Sequence, residues 1–349
     1  MHRRHFLRAV AGVLSAPWPG SSASDPMNRP LIRPRVLRPG DTVGLITPST
    51  YVADPDRLLL VQRTIEYFGL KAKMGRFVGK RAGYLGGSVE ERLEDLHDMF
   101  RHPEVRAVFA VRGGYGSPQL LDRIDYNLIR SNPKIFLGYS DITALHLAMH
   151  KMTGMVTFHG PVALSQFTGY TQEHFRKALF QTGPLGALTN PKESNRLRPD
   201  HLLRTIRPGK ARGRLIGGNL TLISTTMGTP YEIDTRGKIL FLEDVGEYPY
   251  SIDRMLTQLR LAGKLEAAAG IIIGECADCP PRDGKPSFES SFSLGEVLDR
   301  ILGSLRIPVI SGMTIGHTAD QLTLPLGVMA TLDADAGVLT IEEPAVEAA

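Results

Sequence analysis

The serine at position 140 has the sequence setting that most clearly suggests chemistry. An apolar segment, Lys134 to Gly138, leads directly into Tyr139-Ser140-Asp141, and a helix pattern follows. A serine delivered by a buried strand into a turn at a helix start exposes its hydroxyl, and the N–H of Asp141 can face a developing negative charge. This setting suits a nucleophile. The G-x-S-x-G pattern of serine hydrolases is incomplete because position 142 is isoleucine, and a serine in this position can equally be a helix cap.

A second strand end carries a cluster of glycines. The apolar run Val105 to Val111 is broken by Arg112-Gly113-Gly114-Tyr115-Gly116. Glycine lets the backbone approach a ligand closely, so this turn can supply a second N–H donor to an oxyanion. It can equally be a phosphate-binding turn or a simple tight turn, and the glycines alone do not separate these alternatives.

A serine nucleophile needs a base, and a neutral imidazole needs a partner that orients it. The chain has ten histidines, so the choice of base is open. His317 lies in a predicted loop, Ile315 to Asp320, from which a side chain can reach a cleft. Glu243 lies near the end of the apolar segment Lys238 to Asp244, where a carboxylate is costly unless it is used or paired. A salt bridge from Glu243 to Arg254 is the structural alternative.

Two other residue pairs have spacings that metal or redox sites use. His146 and His150 lie four residues apart on the helix after Ser140, and with no evident third ligand we interpret them as helix surface or packing. Cys276 and Cys279 form a lone C-x-x-C motif. Without a second pair or a thioredoxin-like setting, zinc and redox chemistry are disfavoured, which leaves two structural thiols or a labile disulfide. We therefore expect neither a metal nor a cofactor.

The elements that position these residues alternate between strand and helix patterns from Gly40 onward. This alternation is typical of a parallel sheet with helices on both faces, so the predicted fold class is α/β. We predict an amino-terminal nucleophile domain over residues 37–165 and a surface linker over 166–208, where prolines interrupt the pattern. A second α/β domain over 209–343 would supply Glu243 and His317 and end in strands with period-two alternation.

The composition is that of a globular protein, and its net positive charge comes from the amino-terminal end of the chain. The 349 residues are 42% hydrophobic and 22% charged, with a formal net charge of +5. Residues 1–39 contain seven arginines and one aspartate, so they carry +6 and the remaining residues carry about −1. A body without basic excess gives no indication of nucleic-acid binding.

The amino-terminal residues resemble an export signal. Residues 1–26 combine a basic start, a short apolar run from Ala9 to Leu14 and the small residues Ser21-Ser22-Ala23. The apolar run is too short to span a bilayer, so no stable membrane insertion is expected. Arg3-Arg4 resembles the twin-arginine signal, which predicts a periplasmic protein. Two alternatives remain: Met27 is the true start, which would make the protein cytoplasmic, or the segment is an ordinary basic tail.

Five separated strings match one known family in the same order. These strings are Arg112-Gly113-Gly114-Tyr115-Gly116, Gly138-Tyr139-Ser140-Asp141-Ile142-Thr143, Gly217-Gly218-Asn219-Leu220, Leu242-Glu243-Asp244 with Tyr250-Ser251-Ile252-Asp253-Arg254-Met255-Leu256, and Gly316-His317 with Leu322-Thr323-Leu324-Pro325-Leu326-Gly327. Together they resemble the LD-carboxypeptidase family of serine peptidases, which also contains the microcin C immunity hydrolases. The match covers about Leu37 to Ile341, and five strings in one order are far more specific than any one of them.

The resemblance implies roles for individual residues. Ser140 would be the nucleophile, His317 the general base and then acid, and Glu243 the residue that orients the imidazole. The backbone N–H groups of Gly114 and Asp141 would form the oxyanion hole. The resemblance also implies an amino-terminal domain of the flavodoxin or amidotransferase type, a site in the cleft between the domains, and a homodimer.

Members of this family release terminal D-alanine from peptidoglycan tetrapeptides, so the expected substrate is a muropeptide. Arg112 or Asn219 is expected to engage the carboxylate or the peptide backbone of that substrate. An immunity-type hydrolase that cleaves a peptidyl or aminoacyl adenylate analogue is the nearest alternative, since the same triad would serve. A non-catalytic periplasmic binding protein with two lobes is a second alternative, although it would not need Ser140, Glu243 and His317.

Overall fold

The amino-terminal half of the chain forms a six-stranded sheet. The computed structural model describes residues 30–192, 197, 199–280 and 291–348. Five strands of this sheet run parallel: β1 Thr42–Ile46, β2 Lys71–Met74, β3 Val105–Ala110, β4 Ile135–Gly138 and β5 Phe158–His159. Their order, β2-β1-β3-β4-β5, is that of flavodoxin-like sheets, which place ligands at the carboxyl ends of the strands near β1 and β3.

Helices connect these strands and cover the sheet. They are α1 Pro55–Tyr67, α2 Val89–Arg101, α3 Tyr126–Ser131 and α4 Thr143–Thr153, with 3-10 segments at Ser117–Arg123 and Ser140–Ile142. Ser88 begins α2 with a capping box, in which its side chain accepts from the N–H of Glu91 and the Glu91 carboxylate accepts from the N–H of Ser88. The sequence pattern, with helical spacing over Asp56 to Phe68 and a Ser88 cap before Glu90 to Phe100, predicts α1 and α2 within about a residue of these bounds.

The carboxy-terminal half forms a mixed eight-stranded sheet. Its strands are β6 Pro184–Leu188, β7 Arg204–Arg207, β8 Lys210–Asn219, β9 Ile239–Glu243, β10 Gly270–Gly274, β11 Val309–Met313, β13 Met329–Asp333 and β14 Val338–Pro344. The order is β6-β14-β13-β8-β9-β10-β11-β7, with β8 to β11 parallel and the other pairings antiparallel. Helices α5 Gly169–Phe180, α6 Leu220–Thr225, α7 Pro249–Leu261 and α8 Leu294–Leu302 complete this half. The α/β prediction with a β-rich end is confirmed.

The two halves are joined by more than the connecting chain. Strand β12, Leu324–Pro325, belongs to the late part of the sequence but pairs antiparallel with β5 of the first sheet, Leu324 opposite His159. The N–H of Asn219, at the end of β8, donates to Thr143 Oγ1 at the start of α4, 2.9 Å away. These contacts fix the carboxyl ends of both sets of parallel strands against one another.

The prediction of an irregular linker over residues 166–208 is wrong. That segment contains α5 and the strands β6 and β7, and α5 buries Phe175 and Leu179 in the core. The two strands lie at opposite edges of the eight-stranded sheet. An edge strand needs only one partner and tolerates proline, which is why β6 can begin at Pro184 and why the prolines misled the prediction.

The predicted leader, residues 1–26, lies outside the described residues. Among the described residues, no helix has the length and apolar character needed to cross a membrane.

Candidate active site

Ser140 lies on a strained turn between β4 and α4. Its φ angle is +63°, in the left-handed region that residues with a side chain rarely adopt. Two glycines allow the turn. A Cβ on Gly138 would lie 2.9 Å from Cγ2 of Ile142, and a Cβ on Gly113 would lie 3.0 Å from Cβ of Ser140. The glycine-rich turn after β3 therefore packs directly against the serine, and the chain follows a strand–turn–helix path despite the isoleucine at position 142.

The hydroxyl of Ser140 is not used as a helix cap. Neither the 3-10 segment Ser140–Ile142 nor α4 receives a side-chain capping hydrogen bond at its amino end. Within the described residues, Ser140 Oγ has no hydrogen-bond partner, and the residue is only partly buried. The capping alternative is therefore excluded, and the strained turn leaves the hydroxyl available to a ligand.

Glu243 and His317 form a hydrogen-bonded pair. His317 Nδ1 lies 2.8 Å from Oε2 of Glu243, and the Glu243 side chain is fully buried while that of His317 is 18% exposed. Since an ionised carboxylate can only accept, Nδ1 carries the proton and Nε2 is left with a lone pair. The alternative of a salt bridge from Glu243 to Arg254 is not observed, because Arg254 lies over the ring of Tyr250. The arrangement is that of an oriented general base.

Burial governs the electrostatics of Glu243. Removal from water raises the pKa of this carboxyl, whereas the hydrogen bond to His317 and the charge of that ring act to lower it. Oε1 is buried without a hydrogen-bond partner among the described residues. The hydrogen bond from His317 to Oε2 is therefore the one that stabilises the charge of this carboxylate. A carboxylate in this setting favours a positive charge on the imidazole, which is what a base must acquire when it takes a proton.

The ring of Tyr139 brings the two halves of the site together. It lies edge-on to the ring of His317, with centroids 4.8 Å apart and planes at 64°. Tyr139 immediately precedes Ser140, so His317 stands beside the strained turn. His317, which follows a strand of the second sheet, therefore lies close to the turn that carries Ser140 at the end of a strand of the first sheet.

Two backbone N–H groups are placed for an oxyanion. Gly114 has φ +117°, and a Cβ there would lie 2.2 Å from Thr50 Oγ1, so only glycine fits. It is exposed on the turn that packs against Ser140, and its N–H has no hydrogen-bond partner within the described part of the chain. The N–H of Asp141 lies at the uncapped start of the 3-10 segment. Both groups are available as donors beside the serine.

The side chain of Asp141 has a structural role that the sequence did not reveal. It is buried and accepts hydrogen bonds from Ser49 Oγ at 2.5 Å, from the N–H of Ser117 at 2.8 Å and from the N–H of Gly116 at 3.3 Å. These donors belong to the loop after β1 and to the glycine-rich turn. One carboxylate therefore holds these two segments against the turn that carries Ser140.

Arg92 is a second positioning residue that sequence reasoning missed. It is 2% exposed, and Nη1 donates to the carbonyl oxygens of Pro48 at 2.8 Å and Gly116 at 2.9 Å, while Nη2 donates to Gln119 Oε1 at 2.7 Å. Burial lowers the pKa of its guanidinium. The signal in the sequence was weak, because Arg92 follows the capping box of an amphipathic helix and looks like a solvated residue of that helix.

The two candidate substrate contacts differ in their surroundings. Arg112 follows β3 at the mouth of the site and is half-buried; burial and the neighbouring Arg57 lower the pKa of its guanidinium. Asn219 is buried, and both ends of its amide have intramolecular partners: Oδ1 accepts from the N–H of Leu222, and Nδ2 donates to Asp244 Oδ1 at 3.0 Å. Asn219 can therefore bind a ligand only by giving up hydrogen bonds that hold the fold, whereas the Arg112 guanidinium has no hydrogen bond or ion pair within the described ranges.

The two histidines with i, i+4 spacing have different hydrogen-bond partners. His146 is fully buried with Nε2 2.9 Å from the carbonyl oxygen of Gly138, and burial lowers its pKa to about 4. His150 contacts the carbonyl of Met155 instead, so the pair shares no ligand. Cys276 and Cys279 are free thiols. No group of three metal-ligating side chains occurs within the described ranges.

Comparison with known proteins places this site in a family. Residues 43–160 match the LD-carboxypeptidase N-terminal domain, and residues 212–332 match the LD-carboxypeptidase C-terminal domain. The probable murein peptide carboxypeptidase of Bacillus subtilis (strain 168) is 44% identical over 315 residues, which cover 89% of this chain and 94% of the relative.

Two further relatives show the breadth of the similarity. The Escherichia coli microcin C7 self-immunity protein MccF is 32% identical, over 88% of this chain and 94% of its own. A structure of MccF in complex with glutamyl sulfamoyl guanosine has a TM-score of 0.80 at 30% identity, covering 91% of this chain and all of that one. The muramoyltetrapeptide carboxypeptidase from Oxalobacter formigenes has a TM-score of 0.74 at 29% identity, covering 87% and 99%. The chain belongs to the LD-carboxypeptidase family.

Proposed function

We propose that the protein is a serine carboxypeptidase that releases the terminal D-alanine from murein tetrapeptides. The observation that carries the proposal is the hydrogen bond between His317 and the buried Glu243, formed beside the strained turn of Ser140. The similarity of this chain to a B. subtilis protein named as a probable murein peptide carboxypeptidase supports the substrate class. Membership of a carboxypeptidase family argues against the alternative of a non-catalytic binding protein.

In the proposed first step, Ser140 Oγ attacks the carbonyl carbon between the L-centre of the diamino acid and D-alanine. Nε2 of His317 takes the hydroxyl proton, and Glu243 stabilises the imidazolium that results. The carbonyl oxygen becomes an oxyanion, held by the N–H groups of Gly114 and Asp141. When the tetrahedral intermediate collapses, the C–N bond breaks and His317 gives its proton to the departing amine of D-alanine.

The second step regenerates the enzyme. A water molecule attacks the acyl ester on Ser140, with His317 Nε2 taking one of its protons. Collapse of the second tetrahedral intermediate breaks the ester bond, and His317 Nε2 returns its proton to Ser140 Oγ. The shortened peptide leaves as a carboxylic acid, which loses its proton to solvent to become a carboxylate. Each proton transfer to or from Ser140 uses His317.

Arg112 is the group we propose for the terminal carboxylate of the substrate. A carboxypeptidase must select a chain end, and a cation near the nucleophile does so by pairing with the C-terminal carboxylate. Arg112 lies on the turn that packs against Ser140, and its partial burial strengthens a charge-assisted contact. Asn219 would act instead by holding Asp244 and the start of α6 in place.

The experiment that tests this function measures D-alanine release from a purified murein tetrapeptide. The wild-type protein should convert tetrapeptide to tripeptide with one D-alanine per turnover, and Ser140→Ala should release none above background. Ser304→Ala, which removes a hydroxyl that donates to the carbonyl of Ile301, serves as the matched control and should retain full activity. Equal release by the wild type and Ser140→Ala would refute the nucleophile, and no release by the wild type would refute the substrate.

The immunity-type alternative has one observation in its favour, namely that MccF structures match with a TM-score of 0.80 against 0.74 for the muramoyltetrapeptide carboxypeptidase. A direct comparison decides between them. The same preparations would be offered glutamyl sulfamoyl adenosine, with release of glutamate as the readout. A larger kcat/KM for this compound than for the tetrapeptide would favour the immunity-type reaction.

Two further properties are proposed together with the activity. The twin-arginine-like leader supports export to the periplasm, which amino-terminal sequencing of the protein from fractionated cells would test. A mature chain that begins at Met27 and remains in the cytoplasm would refute export. A homodimer is proposed from the family resemblance, and light scattering of the purified protein would reveal a mass twice that of the chain.

A further inference from the structure

A cavity lies between α4 and the second half of the chain, away from Ser140. Its volume is about 480 Å³. The last turns of α4 contribute one wall, including Lys151, and the middle of β8 together with the segment before β9 contributes another. The third wall is the segment after α7, which includes Lys264. At 1.5 Å per residue, Lys151 is about 12 Å along α4 from Thr143, so the cavity and the Ser140 site lie at opposite ends of the same helix.

The charged lining of the cavity is unbalanced. Five cations line it, Lys151, Arg214, Arg236, Lys238 and Lys264, against two carboxylates, Glu232 and Asp234. The lining therefore has an excess of three positive charges, with His150 held neutral because burial lowers its pKa to about 4. Cations gathered in a partly enclosed space raise the local potential and attract anions.

The ion pairs already present do not remove this excess. Glu232 binds Lys264 at 2.9 Å, and Asp234 is shared by Lys238 at 3.1 Å and Arg236 at 2.9 Å. Lys151 donates to the backbone carbonyl of Glu232 at 2.9 Å, which is a dipole and not a compensating charge.

Arg214 has a similar environment. It donates to the carbonyl of Gly327 at 2.6 Å, and its nearest carboxylate, that of Glu343 at 3.7 Å, is paired more closely with Arg33 at 2.9 Å. Lys151, on α4, and Arg214, on β8, both line this cavity, so a ligand in it faces both cations.

Two carbonyl groups at the carboxyl end of α4 are already hydrogen-bonded within the protein. A helix carboxyl terminus carries partial negative charge on carbonyls that lack partners. Here the carbonyl of His150 accepts from the N–H of Gly154, and the carbonyl of Gly154 accepts from the N–H of Ile32 at 2.9 Å. These two carbonyls therefore do not compensate the positive excess of the side chains.

We propose that this cavity binds a small phosphorylated molecule. A phosphate group carries up to two negative charges and several acceptor oxygens, so it can accept from lysine and arginine donors that approach from different walls. The cavity is larger than a phosphate, and Leu147, Ile216 and Ile233 give it apolar surface on which the uncharged part of an organic phosphate can rest. The ligand would contact Lys151 on α4 and Arg214 on β8, so it would stabilise the packing of this helix against the second half of the chain.

Isothermal titration calorimetry with defined probes measures binding at this site independently of catalysis. The probes are glucose 6-phosphate, inorganic pyrophosphate, citrate and uncharged glucose, all at the same ionic strength. We expect glucose 6-phosphate and pyrophosphate to bind and glucose not to bind. Citrate binding as tight as that of pyrophosphate would overturn the phosphate assignment, and no heat from either phosphate at millimolar concentration would overturn the site.

Matched variants localise the binding. Lys151→Gln and Arg214→Gln should each weaken phosphate binding at least about fivefold, since each removes one converging charge. Lys151→Arg should remain within about threefold of the wild type, because it keeps the charge at that position. Lys71→Gln, an exposed lysine of β2, is the control and should bind normally. Unchanged affinity in Lys151→Gln and Arg214→Gln, with thermal unfolding like that of the wild type, would refute the assignment.

Discussion

His317 and Glu243 are 74 residues apart in the chain, yet Nδ1 of the one lies 2.8 Å from Oε2 of the other. Glu243 ends β9 and His317 follows β11, with β10 between them in the sheet. The glycine that ends β10 lets them meet, because a Cβ on Gly274 would lie 3.1 Å from the Cβ of Glu243 and 2.9 Å from the carbonyl of Ile315. The pair therefore forms because the ends of parallel strands lie close together and the residue between them is a glycine.

Replacing Glu243 with glutamine should lower kcat for D-alanine release by about a thousandfold or more, with a smaller effect on KM. Glutamine keeps the shape of the side chain, but it can donate as well as accept, and it stabilises neither the required tautomer nor the imidazolium. Steady-state kinetics on the tetrapeptide provides the measurement. Glu266→Gln, at an exposed residue of the segment after α7, is the matched control. A loss of less than about tenfold in Glu243→Gln would mean that this carboxylate does not assist the histidine.

Gly316→Ala should reduce both activity and stability. Gly316 has φ +91°, and a Cβ there would lie 2.1 Å from Oε2 of Glu243, so the new methyl group must displace the carboxylate from His317. Gly263→Ala is the matched control, since Gly263 has φ +68° with no atom near the new Cβ.

The backbone strain of a positive φ should cost both variants about 1 kcal/mol in the free energy of unfolding, measured with urea. Only Gly316→Ala should also lose activity, by about a hundredfold. Equal activity in the two variants would show that the contact with Glu243 is not needed for catalysis.

Arg92→Met should destabilise the fold by about 2–4 kcal/mol, because it leaves the buried carbonyls of Pro48 and Gly116 without their donor. The same carbonyls belong to the loops around Ser140, so kcat should fall as well. Arg101→Met, on the same helix but with a side chain 61% exposed, is the control and should change stability by less than about 1 kcal/mol. If Arg92→Met unfolds at the same urea concentration as Arg101→Met, Arg92 does not hold these loops.

Much of the site could be predicted from the sequence because the residues that shape the turn at Ser140 are close together in the chain. The strand, Gly138 and the helix start that shape the turn at Ser140 all lie within ten residues, and only Gly113 comes from elsewhere in the chain. The pairing of Glu243 with His317 could not be derived in the same way, since ten histidines were available and the choice rested on family resemblance.

Residues that act across the fold gave no local signal. Arg92 contacts Pro48, which lies 44 positions earlier, and Asp141 contacts Ser49, which lies 92 positions earlier. Likewise β6 pairs with β14, whose residues lie about 150 positions later, so its pattern alone resembles a loop. Such contacts depend on the order of strands in the sheets, which a single sequence does not specify.

His201 should make the stability of the protein depend on pH. Nδ1 lies 2.6 Å from Oε1 of Glu275, and Nε2 lies 3.2 Å from Oδ2 of Asp320, in the loop that follows His317. Burial acts to lower the pKa of this histidine, but the hydrogen bonds and charges of the two carboxylates outweigh burial and raise it. The folded protein therefore holds this proton at a pH where the unfolded chain, with a pKa of about 6.5, releases it.

Because the folded pKa is the higher one, the stabilisation from His201 is fully present below about pH 6.5 and is lost as the pH rises through the folded pKa. His201→Gln should remove this contribution. Urea unfolding from pH 5 to 9 should give a free-energy difference between wild type and His201→Gln that is largest at acid pH and shrinks as the pH rises. His102→Gln, at the end of α2, provides the control. A difference that stays constant or grows with pH would show that His201 is neutral in the folded protein and that its contacts with Glu275 and Asp320 are not ion pairs.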